Sequence, residues 1–165
     1  MFEYLRQSMN SRTIEDLKTP SLILDVDRVR SNAARITSIV DRHNVRLRPH
    51  IKTHKCVEIA RIQTAGHNGA VTVSTLAEAR AFAANGFRDI TYAVPIEPGK
   101  FDEAASLVEE GVDLKVITDD PSTPAGLNEI ARRRGISIGV FLEVDCGDHR
   151  SGVKRNIRVA MCNAA

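Results

Sequence analysis

Short runs of consecutive apolar residues alternate along this chain with longer stretches in which apolar residues recur every three or four positions. The run "SLILDV" (21–26) is apolar and β-competent, and helical spacing follows from Val29 through Ala33 and Ile36 to Val40. "VRLRPHIK" (45–52) predicts a second strand, and the helix over 55–65 stops at Gly66, a residue suited to the turn beyond a helix end. "GAVTVS" (69–74) predicts a strand and "TLAEARAFAANG" a helix. There Thr75 and Glu78 have the spacing of a reciprocal cap, and Gly86 closes the element. "DITYAVPI" (89–96) is strand-like, "PGKFDEAASLVEEG" is a helix running from near Pro98 to Gly111, and "DLKVITD" (113–119) is a strand. "STPAGLNEIARRRG" predicts a helix ending at Gly135, and "ISIGVFLEVD" (136–145) the last strand.

From residue 47 onward the strand starts recur at roughly 20 to 25 residues, the period of a βα unit. That rhythm predicts a parallel α/β sheet with right-handed crossovers. A barrel and an open doubly wound sheet both fit it. No G-x-G-x-x-G follows the first strand and no P-loop is present, which favours the barrel.

Composition narrows the partners. The chain has 165 residues, 42% apolar and 27% charged, with a formal net charge of +2, so no global field selects nucleic acid or a membrane surface. The N-terminal stretch "MFEYLRQSMNSRTIEDL" carries acids and no secretory apolar core, and no apolar run approaches a membrane span. Cys56, Cys146 and Cys162 have no paired spacing, which argues against a disulfide framework and for a reducing, cytoplasmic setting. "ARRRG" (131–135) reads as a solvated helix end, since cations suit a helix C-terminus and no aromatic residues interleave. "PGK" (98–100) reads as a helix start, "EE" (109–110) as a solvent-facing helix end, and Cys146 as a buried structural thiol.

The chemistry concentrates in "LRPHIKTHK" (47–55). Strand side chains alternate, so Leu47, Pro49 and Ile51 point one way and Arg48, His50 and Lys52 the other. In a barrel the polar set lines the interior, with Lys52 at the C-terminal end of the strand, where such folds keep their active sites. Three readings stand on the residues alone. The run is a solvated or phosphate-facing basic loop; or Lys52 is a nucleophilic amine whose neutral form is favoured by Arg48, His50 and Lys55; or His50, His54 and Cys56 approach a metal, although their spacing matches no closed zinc site and carboxylates are missing nearby.

Four blocks in order, "TPSLILDVDRVRSNAARI", "RLRPHIKTHK", "GAVTVSTLAEARAFAANGFRDI" and "EVDCGDHRSGV", are similar to the N-terminal half of the D-threonine aldolase and D-serine dehydratase family. That family resembles alanine racemase in the fold of its pyridoxal-phosphate (PLP) domain. The resemblance implies a partial (β/α)8 TIM-type barrel, an alanine racemase-like N-terminal domain of about five parallel strands over residues 19–153. A lead-in (1–18) precedes it and a divergent tail (154–165) follows. It implies a PLP-dependent lyase acting on D-amino acids, with Lys52 bound to the cofactor as a Schiff base and Arg150 beside its phenolic oxygen. His50, Thr53 and His54 become neighbours of the cofactor, while Asp145 and Gly147 fit the motif as shapers of the turn. PLP is then the electron sink, and cleavage of Cα–Cβ or loss of a β-hydroxyl are the two outcomes. The resemblance also implies a divalent metal (Zn or Mn) in full-length members, with ligands from a C-terminal β domain and none assigned here, and a homodimer when full length. A PLP carrier without turnover and an amino-acid racemase are the other functions open to this barrel.

Family members are roughly twice this long, and "KRNIRVAMCNAA" after Val153 does not continue the pattern. The expectation is therefore a truncated or frameshifted chain with open sheet edges, which binds PLP poorly and turns over little alone. "SLILDV" is expected to lack the β domain it would pair with.

Overall fold

The computed structural model describes residues 13–154. Most of the lead-in (1–12) and all but the first residue of the tail (155–165), including Cys162, lie outside the described residues. Four strands form one parallel sheet in the order β1 (Val71–Val73), β2 (Asp89–Pro95), β3 (Asp113–Thr118) and β4 (Gly139–Leu142). Helices α1 (Val26–Arg42), α2 (Val57–Gln63), α3 (Leu76–Ala83), α4 (Phe101–Glu109) and α5 (Thr123–Arg134) alternate with them. This is the parallel βα order that the rhythm predicts, a partial barrel.

Two expected strands differ. Segment 45–52 makes only an isolated bridge, His50 to Thr72, with the Thr72 N–H donating to the Pro49 carbonyl at 2.8 Å, and then turns into a short 3-10 helix (Ile51–Thr53). It occupies a fifth strand position beside β1 without a full ladder. "SLILDV" forms no strand: Leu22, Ile23 and Leu24 are exposed, and Asp25 caps α1 by accepting the Arg28 N–H at 2.9 Å. An apolar run needs a partner strand as well as β-propensity, and none of the described residues supplies one.

The two sheet faces divide by chemistry. Val71, Val73, Ile90, Tyr92, Leu114 and Val116 are buried and share one cluster with Leu76, Phe82, Phe101, Leu107 and Leu127 from the helices. Burying a large aliphatic side chain contributes about 1.5–3 kcal/mol, so this sheet–helix layer supplies the main driving force. Contact between α4 and α5 needs Gly126, where a Cβ would lie 2.9 Å from the Phe101 ring.

The opposite, inward face carries Thr72, Thr91 and Lys115 in register, with Gly139 following on β4. Its N-terminal end is closed by charge. Arg48 reaches Asp89 with Nη1 to Oδ1 and Nη2 to Oδ2, both at 2.8 Å, and Lys115 Nζ reaches Oδ1 at 2.7 Å while also pairing with Asp113. A bidentate arginine and a lysine on one carboxylate tie segment 48–50 to β2 and β3.

The chain after β4 returns on itself. Val144 bridges Val153, the Asp145 N–H donates to the Val153 carbonyl at 3.0 Å, and the Val153 N–H to the Glu143 carbonyl at 2.9 Å. Gly152 makes the crossing possible: its φ is +99°, and a Cβ there would lie 2.5 Å from the Asp145 nitrogen. Cys146, expected to be buried, is exposed in this loop, because the turn lifts it off the sheet. In "ARRRG", Arg132 and Arg133 are solvated as expected. Arg134 is not: it is half-buried against α4, pairing with Asp102 and, at 3.2 Å, with Glu109. The φ of +66° at Gly135 ends α5, and Pro98–Lys100 leads into α4 as expected.

Two outcomes follow from these contacts. Burial raises the pKa of Asp89, but the hydrogen bonds and charges of Arg48 and Lys115 outweigh it and hold the carboxyl below its ordinary value. A depressed folded pKa contributes stability above the unfolded value of about 3.9, lost as pH falls through the folded value. Denaturant unfolding from pH 6 down to pH 2 is expected to show this loss, and Asp89→Asn to reduce it while costing about 1–3 kcal/mol at neutral pH. Gly152→Ala is expected to lower stability by about 2 kcal/mol or more, read from the denaturation midpoint, because strain and backbone collision coincide.

Candidate active site

Ile51 is fully buried against the helix layer, which forces its neighbours on the 3-10 turn toward the other side. Lys52 and Thr53 are exposed, while His50 and His54 are half-buried. The inward alternation predicted for Arg48 and His50 is met: Arg48 reaches Asp89, and His50 is paired with inward-facing Thr72. Lys52 follows at the C-terminal end of that strand position, the active-site end of a parallel barrel.

The turn is held by side chains from two elements. The Lys52 N–H donates to His50 Nδ1 at 3.3 Å, and His50 Nε2 lies 3.4 Å from Ser74 Oγ at the end of β1. Burial, then the charge of Lys52, lower the His50 pKa from 6.5, with Glu78 opposing them, so the ring is held neutral at neutral pH. His54 is used structurally: its Nδ1 accepts the Cys56 N–H at 3.0 Å, and its Nε2 lies 3.0 Å from Gln63 Oε1.

Sequence spacing located the cap of α3 but missed what its carboxylate does. Thr75 Oγ1 accepts the Glu78 N–H at 3.0 Å, as the cap requires. The Glu78 carboxylate accepts the Ser74 N–H at 2.8 Å and pairs with Lys55 Nζ at 3.1 Å. Glu78 therefore belongs to the Lys52 turn as much as to its own helix. A signal for this lay in the basic run, which needs a counter-charge.

Arg150 is exposed on the loop after β4, at the same end of the sheet. The loop is built around Asp145, whose Oδ1 accepts the N–H groups of Gly147 (2.9 Å) and His149 (3.1 Å) and whose Oδ2 lies 2.8 Å from His149 Nδ1. These backbone donors, Gly147 first, hold the Asp145 carboxyl below its ordinary pKa. Ser151 Oγ donates to Glu143 Oε1 at 2.7 Å, and Glu143 Oε2 is buried without a partner. Lys52 and Arg150 thus sit at the two edges of the sheet, four strand positions apart. In a closed eight-stranded barrel such positions face each other across the mouth.

A covalently held aldehyde cofactor fits this arrangement. The mouth offers an exposed primary amine, a neutral imidazole beside it and, at the far edge, a guanidinium, above inward threonines of which Thr91 Oγ1 is buried and unpartnered. A resident metal has no such support from this chain: among the described residues no three His, Cys, Asp or Glu side chains are grouped to hold one. An open cavity of about 330 Å³ lies at the N-terminal ends of the strands, lined by Asp41, Arg46, His67 and Asn68, and is remote from the lysine. No helix among the described residues is long and apolar enough to cross a membrane.

Comparison with known proteins agrees with the geometry. The chain is 41% identical over 141 residues to the D-threo-3-hydroxyaspartate dehydratase of Delftia sp. (strain HT23), a match spanning 86% of this chain and 37% of the relative. The solved structure of that dehydratase superposes with a TM-score of 0.82, covering 87% of this chain and 38% of its own. The 3-hydroxy-D-aspartate aldolase of Paracoccus denitrificans is 35% identical over 140 residues, 84% of this chain and 36% of the relative. The crystal structure of D-threonine aldolase from Filomicrobium marinum is 32% identical with a TM-score of 0.78, covering 86% of this chain and 38% of that one. The chain therefore spans well under half the length of the relatives it matches. The model of the alanine racemase N-terminal domain matches residues 24–165, and the chain belongs to that family.

Proposed function

We propose that this chain is the PLP-carrying portion of a lyase acting on 3-hydroxy-D-amino acids, with Lys52 as the covalent anchor of the cofactor and Arg150 as the cation beside its phenolic oxygen. The observation that carries the reading is the exposed lysine at the C-terminal end of the strand position beside β1, at the mouth of a parallel partial barrel. The relatives' names support the substrate class: hydroxyaspartate and threonine share a hydroxyl on Cβ, and both aldol cleavage and dehydration are represented.

PLP, when bound, supplies an electron sink for the bond broken at Cα. The chain's own part is more specific. Lys52 Nζ would hold the cofactor's carbonyl carbon and, when free, would be a base for a proton at Cα or at the β-hydroxyl of the substrate. A neutral His50 accepts the Lys52 N–H and adds no second positive charge next to the amine. Arg150, at the other edge of the sheet, would stabilise negative charge on the phenolic oxygen. Thr53 and His54 border the same turn, with His54 fixing the start of α2. A divalent metal, Zn or Mn, would polarise the substrate's β-hydroxyl in the whole enzyme, and among the described residues no cluster of ligands for it is present.

Borohydride treatment of the chain with excess PLP is expected to leave a reduced adduct on Lys52, located by peptide mass spectrometry and lost in Lys52→Ala. Equal labelling of Lys55, or unchanged labelling in Lys52→Ala, would falsify the assignment. In the whole enzyme, glycine or ammonia release from D-threonine, D-serine and 3-hydroxy-D-aspartate with Mn²⁺ or Zn²⁺ separates a lyase from a carrier.

A further inference from the structure

Glu78 is the most buried carboxylate among the described acids, with 9% of its surface exposed, yet it stands on a helix whose cap Thr75 already provides. A capping acid at this position ordinarily reaches back to the N–H of the capping residue. This one feels the Thr75 backbone only weakly; it accepts the Ser74 N–H at 2.8 Å and pairs with Lys55 Nζ at 3.1 Å, twenty-three positions away in sequence. Lys55 sits in the left-handed region, φ +50°, with its N–H donating to the Ile51 carbonyl at 2.8 Å. Residues with a Cβ adopt that region at a cost, so something outside the turn must hold it.

The contacts close into a ring. The Lys52 N–H meets His50, His50 meets Ser74 Oγ, the Ser74 N–H meets Glu78, Glu78 meets Lys55, and Lys55 returns through Ile51 to Lys52. Glu78 is the member that joins the two elements by charge. We propose that Glu78 is a positioning residue, which holds the 51–55 turn so that the Lys52 amine stays aimed at the barrel mouth. The charges that reach His50 are Lys52 on its own turn and Glu78 from α3, acting in opposite directions. This inference rests on Lys52 as the anchor only for its meaning in the reaction; the arrangement itself is testable without PLP.

The test uses the 165-residue chain, wild type and Glu78→Gln, with Lys55→Met as the second variant and the double variant completing a cycle. Amide hydrogen exchange is expected to quicken about tenfold at residues 52–55 in Glu78→Gln, the size expected for losing a hydrogen-bonded charge. The His50 titration followed by NMR moves to lower pH, because the one charge that raises it is gone. Lys55→Met reproduces the exchange change without removing the Ser74 contact, and the double variant adds little to either single one. If exchange quickens only at the first turn of α3 while 52–55 and His50 are unmoved, Glu78 is a helix cap alone and the proposal fails. If Glu78→Gln does not fold, unchanged exchange at 52–55 in Lys55→Met overturns the proposal, and quickened exchange there supports it. Trapping of PLP on Lys52 is a separate readout: its failure in the wild type sinks the anchor assignment, and the exchange and titration results still decide the role of Glu78.

Discussion

The placement of Ile51 governs what the rest of this molecule can do. Its side chain is wholly buried between β1 and the helix layer, and its carbonyl receives the N–H groups of His54 and Lys55. Burying it fixes the phase of the whole basic run. With residue 51 facing the helices, Arg48 and His50 face the inner side and Lys52 is carried to the strand's end. A shift of one residue would put the charges into the apolar layer, at a cost no nearby partner offsets.

That single phase was legible in the sequence because "LRPHIK" alternates apolar and basic residues without a break. The order of strands and helices was legible for the same reason, since each helix carries its own cap or stop. Ladder formation was not. Segment 45–52 has strand composition, yet among the described residues it meets a neighbour on one side only, and pairing is a property of two strands. "SLILDV" makes the same point more strongly, with Leu22 fully exposed.

The candidate site's placement was legible in part. The lysine could be located from residue type and strand position, and the 145–152 loop from its glycines and Asp145. For Glu78 only the need of the basic run for some counter-charge could be read; which acid supplies it could not, because Lys55 comes from another element and only folding brings the two together. Arg134 hid in the same way. A run of three arginines reads as a solvated end, but helical phase turns one of them onto the acids of α4.

The two ends of the inner face are built to opposite electrostatic rules. At the N-terminal end each cation has an acid: Arg48 and Lys115 share Asp89, and Asp113 completes the set. Such a closed set is well satisfied by its own members, so it suits a floor and offers little to a ligand. At the C-terminal end the acids are spent on structure, Glu78 on Lys55 and Ser74, Asp145 on the backbone of its own loop. Among the described residues Lys52 and Arg150 make no ion pair, and both are exposed. A cation left without a carboxylate costs little in water and attracts anions strongly once the surroundings exclude solvent. The same sheet therefore holds its shape with paired charges at one end and presents unpaired ones, open to an anionic ligand, at the other.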